Sequence, residues 1–129
     1  METPENLSDL HTEHANWQNQ ILGFRQEISG MNNLLGQLIS KHSPRDVPAH
    51  AEHFQNQFIL QRDVLDILRH DFKQYENKIE AEQKKGNKPS GELHQIRSAY
   101  EIRLNDYQRI LGDLKNEFSA FAKESSVPA

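Results

Sequence analysis

The 129-residue chain contains no cysteine. That excludes disulfides, thiolate metal sites and cysteine nucleophiles together, and leaves the redox compartment open. Six glycines and five prolines are too few for a collagen-like or low-complexity chain. No run approaches the roughly 20 consecutive apolar residues of a membrane span. The first ten residues carry Glu2, Glu5 and Asp9 without an apolar run, so they do not read as a secretory signal. The expectation is a cytoplasmic protein. A basic excess is missing too: 15 Lys+Arg against 19 Asp+Glu give a net charge of −4 at pH 7. Cations and acids alternate along the chain, which gives a phosphate backbone no basic face to hold. Neither nucleic acid nor a membrane is expected as a partner.

What is present is regular spacing. Only 35% of the residues are apolar and mean hydropathy is −0.86, yet the apolar positions fall into three stripes that alternate steps of three and four. The first includes Leu7, Leu10, Trp17, Ile21, Phe24, Ile28, Met31, Leu35 and Leu38. The second includes Ala51, Phe54, Phe58, Leu65, Leu68, Phe72, Tyr75 and Ile79. The third is Leu93, Ile96, Tyr100, Leu104, Tyr107, Leu111, Leu114, Phe118 and Phe121. Such stripes face partner helices along their whole length. Breakers separate them: Ser43-Pro44-Arg45-Asp46-Val47-Pro48, and Lys84-Lys85-Gly86 followed by Asn87 to Gly91, with Ser90 as N-cap. Thr3-Pro4-Glu5 resembles a helix start.

The spacing therefore predicts a single all-α domain, an elongated up-down-up antiparallel three-helix bundle with heptad-type packing. Its helices cover about 4–41, 47–85 and 90–124, with a frayed tail at 125–129. Matching the stripes around the two turns sets Trp17 level with Phe72 and Leu104, Phe24 with Leu65 and Leu111, and Met31 with Phe58 and Phe118. The long rod with a tryptophan in its first helix resembles the spectrin repeat in architecture alone, and architecture licenses no function.

Polar residues interrupt the stripes at two places. His14 fills a core position level with Tyr75 and Tyr100, which predicts a hydrogen-bonded layer that fixes register. Gln61 falls opposite Ile28 and Leu114, and its amide is expected to reach Glu27, Arg62 or water. The string His-x-Glu-His occurs twice, as His11-Thr12-Glu13-His14 and His50-Ala51-Glu52-His53. Histidines three apart share a helix face, and imidazole with carboxylate suits zinc, iron or nickel. His70, Asp71 and Glu76 could supply a second helix near His11 and His14. Against this, the two strings belong to opposite ends of an antiparallel bundle, and the Glu-x-x-His spacing of di-iron bundles is absent. No cofactor is expected, and a divalent metal is the alternative. With seven histidines the chain can reverse the sign of its net charge in mild acid.

No nucleophile elbow, phosphate loop or zinc-protease string is present, and no catalytic residue is assigned. One feature reads as recognition. Leu60, Val64 and Ile67 widen the apolar face of the second helix, and Leu22, level with Ile67, is expected to join them. Leu34 also lies off the first stripe, and Gly23 and Gly30, one heptad apart, would let another backbone approach. The function expected is a non-enzymatic helical interaction or scaffold protein that pairs with itself, as a homodimer, or with another helical protein. A metal-binding bundle with a hemerythrin- or ferritin-like role is the alternative.

Overall fold

A computed structural model of the chain describes residues 6–43, 45, 47, 49–86 and 88–125. It contains three helices, α1 (Leu7–Ser40), α2 (Ala51–Lys84) and α3 (Gly91–Ser125), joined by two short connections. At 1.5 Å per residue each is about 50 Å long. The helices pack as an all-α three-helix bundle. The backbones of α1 and α2 run closest together, and α3 lies less closely against both. No helix among the described residues is long and apolar enough to cross a membrane.

Side chains close the helix ends. Asn6 Oδ1 accepts from Asp9 N at 2.8 Å and caps α1, while the Thr3-Pro4-Glu5 start lies outside the described residues. Ser90 Oγ accepts from Leu93 N at 3.1 Å, the predicted cap of α3. Ser90 N donates to Glu82 Oε2 at 3.3 Å, which ties the end of α2 to the start of α3. Gly86 takes φ 70°, the left-handed conformation that a helix C-terminus favours and that a Cβ would strain. α2 begins at Ala51, four residues later than the sequence suggests, and no side chain caps it. Pro44, Asp46 and Pro48 of that connection, with Asn87 of the second, are outside the described residues.

The core follows the stripes. Rings meet at the expected levels: Trp17 and Phe72 are 5.4 Å apart between centroids, and Phe58 and Phe118 5.2 Å. Phe24 also meets a ring of α3, Tyr107, at 5.4 Å. The clearest departure is on α3. Arg97 is buried there, at 6% exposure, while its neighbour Ile96 is only half-buried against the core. A guanidinium occupies that seam because two carboxylates receive it.

Candidate functional site

The interior polar layer builds from His14. Its ring is 5.9 Å from Tyr75, and Tyr75 is 5.6 Å from Tyr100, so the three predicted groups do come together. Their hydrogen bonds run elsewhere than expected. His14 Nε2 is 2.9 Å from the Phe72 carbonyl oxygen, which can only accept, so this nitrogen carries the proton. The Gln18 amide nitrogen ends 3.3 Å from the same atom. Tyr100 donates to the Asp71 carbonyl at 3.1 Å. Tyr107 donates to the Gln61 carbonyl at 3.0 Å, so Gln61, itself buried, enters the core network through its backbone. The buried Tyr75 hydroxyl has no hydrogen-bond partner among the described residues. Each ring that bonds does so to the main chain of α2, because a helix carbonyl keeps a second lone pair for a side chain. Burial lowers the His14 pKa, and His11 and Lys73 add to this, against the Phe72 hydrogen bond and Glu76. Burial likewise raises the Tyr75 and Tyr107 hydroxyls well above their ordinary value.

Beside this layer the α1–α3 seam holds an ion cluster that the stripes did not reveal. Arg97 Nε and Nη2 donate to both oxygens of Glu13, at 2.7 and 2.8 Å, and Nη1 lies 3.1 Å from Glu101. The fork geometry makes this a strong pair. The signal that could have found it was Arg97 and Glu101 at i,i+4, with Glu13 on the facing helix.

The side chains of the first histidine string are spread over other contacts. Glu13 is taken by Arg97, His14 points at the Phe72 carbonyl, and His11 is exposed. His50 and His53 are exposed at the other end of the rod. His70 Nδ1 lies 3.4 Å from Asp71 Oδ1. Among the described residues no group of three or more histidine and carboxylate side chains converges to hold a metal ion.

Two outer faces remain, and ion pairs mark which is which. Arg25 meets Asp66 at 3.3 Å across α1 and α2. That groove is an open, polar cavity of about 980 Å³, lined by His11, Gln18, Arg25, Arg69, His70 and Lys73 among others. Across α2 and α3, Lys78 meets Glu92 at 2.8 Å and Asp71 meets Arg103 at 3.0 Å. One heptad further along each helix the next rung is Val64 with Ile110. Both are exposed, at 39% and 42%, and Leu60 (50%) and Ile67 (60%) lie outside them on α2. Leu22 is exposed as well, but it follows Gln18 by four residues on the α1–α2 flank. It therefore lies across α2 from the Val64 row rather than within it. Ile110 is the apolar member that the reading of the second helix alone missed.

Comparison with models of known protein families, with curated protein sequences and with solved structures gives no match.

Proposed function

We propose that this protein is a non-enzymatic helical interaction module that self-associates through the outer face of α2 and α3. The observation that carries the reading is the change of chemistry along one ladder. Two rungs are ion pairs suited to water, and the third, Val64–Ile110, is apolar with Leu60 and Ile67 beside it. Contiguous exposed apolar surface rimmed by polar residues is the kind that marks an interaction site. Fully burying such a side chain is worth about 1.5–3 kcal/mol. Because these four are already half-buried, covering the rest contributes roughly half of that each, so association in the micromolar range needs several acting together. Ile67→Glu tests it: the variant is expected to lose association in sedimentation velocity while keeping the helical circular dichroism of the parent. Unchanged association in that variant places the contact elsewhere and refutes the reading.

A further inference from the structure

The proposed self-association leaves open which surface of the second copy covers the apolar row. Charge decides between the choices. On α3 the row is edged by Asp106, Asp113 and Glu117, all exposed. Glu117 stands one heptad beyond Ile110, and Asp106 and Asp113 stand three residues beyond Arg103 and Ile110, hence further out on the same side. No ion pair joins any of these three acids to another described residue. The cations nearest the row in the heptad ladder, Arg103 and Lys78, are already bonded to Asp71 and Glu92. Arg109 is exposed, stands one turn from both Asp106 and Asp113, and makes no ion pair among the described residues, so this edge holds three acids and one cation. This face is apolar and acidic.

The α1–α2 face has the opposite character. Arg62 and Arg69, one heptad apart on α2, are both exposed and make no ion pair among the described residues. Arg62 lines the groove beside Ser29 and Asn32, and Arg69 lines the wide polar recess, where Arg25 is paired with Asp66 and Lys73 with Glu76, leaving the two arginines as its excess charge. Two exposed apolar residues, Leu22 and Ile59, flank these arginines. On α1 this side carries Gln18, Leu22, Arg25 and Ser29, without an acid.

We infer that the second copy docks front to back, its α1–α2 face covering the acidic, apolar α2–α3 face of the first. The inference rests on the self-association reading and specifies its geometry. A two-fold contact would lay the acid-edged face on itself, so that Asp106, Asp113 and Glu117 meet their own kind with Arg109 alone set against them on each copy, and the net like charge selects against that partner. Front-to-back docking instead sets Arg62 and Arg69 against those acids and Leu22 and Ile59 against the row. A heterologous contact of this kind does not close on itself in a dimer, and copies add in a line unless the rotation closes a ring.

Complementation by mixing separates the geometries. Ile67→Glu spoils the front and leaves the back, and Arg62→Glu with Arg69→Glu spoils the back and leaves the front. All three positions are exposed, and circular dichroism verifies that both variants stay helical. Each variant alone is expected to sediment as a monomer, its association weakened at least about tenfold. An equimolar mixture is expected to form a heterodimer that grows no further, since one intact front meets one intact back. The unmodified protein is expected to build larger species with rising concentration and to dissociate as salt rises to about 0.5 M. A mixture that stays monomeric, an unaffected double-arginine variant, or association strengthened by salt overturns the front-to-back geometry. An unmodified protein that is monomeric at high micromolar concentration overturns the self-association reading itself.

Discussion

Tyr75 and Tyr107 are both buried phenols on facing helices, yet only one of their hydroxyls is bonded. Tyr107→Phe removes the bond to the Gln61 carbonyl and is expected to cost about 1 kcal/mol in urea unfolding. Tyr75→Phe removes a hydroxyl with no partner among the described residues, and should change stability by less than about 0.5 kcal/mol. His14 brings pH dependence. Burial, with His11 and Lys73, outweighs the Phe72 bond and Glu76, so its folded pKa lies below the unfolded value near ~6.5. The unfolded chain therefore takes up the proton first as pH falls. The stability His14 contributes is complete above about 6.5 and is lost as pH falls through its folded pKa. Magnetic resonance titration of this imidazole checks the direction, and His14→Gln should flatten that part of the pH–stability curve. A pKa above the unfolded value would mean that Glu76 governs the ring. Arg97 acts through its partners: Arg97→Ala strips Glu13 of a bidentate ligand and is expected to cost about 2–3 kcal/mol. Replacing Glu13 with Gln and Arg97 with Met together should cost less than Arg97→Ala, because Glu101 alone, and not Glu13 as well, is then left half-buried without its cation.

At the scale of helices, periodicity carried most of the information. Core positions from Leu10 to Phe121 fall where alternate steps of three and four place them, because a buried seam along a 34-residue helix repeats the same environment every turn. Helix ends were legible where one residue type marks the cap, by its hydroxyl at Ser90 and by its left-handed backbone at Gly86. The start of α2 was not, since no capping bond marks it and prolines fit several starts. Arg97 was hidden because periodicity counts apolar residues, and a charged side chain enters a seam only when partners from other helices meet it. The site was partly legible. Leu60, Val64 and Ile67 stand out on one helix, but Ile110 and the flank of Leu22 depend on which neighbour lies on which side, and the interhelical pairs Arg25–Asp66 and Asp71–Arg103 decide that. The layering makes a sharp contrast testable by chemical denaturation. Phe72→Ala, at a site with no solvent exposure, should cost about 3–5 kcal/mol. Leu60→Ala on the outer face should stay within about 0.5 kcal/mol in the monomer.

For the whole molecule, the three helices bury one continuous seam and leave two long faces of unlike chemistry on either side of α2. One is polar, with an open recess and two arginines that make no ion pair among the described residues; the other is apolar, edged by acids that make none among them either. Residues that a monomer alone requires are accounted for by the seam, the caps and the interhelical ion pairs. Leu60, Val64, Ile67 and Ile110 are not, and their common position on one face is what makes association the central claim. Sedimentation velocity of the unmodified protein, from low to high micromolar concentration, tests that claim most directly. The account predicts a weight-average sedimentation coefficient that rises with concentration, and that Ile67→Glu holds at the monomer value. A coefficient that stays at the monomer value for the unmodified protein across that whole range would contradict it.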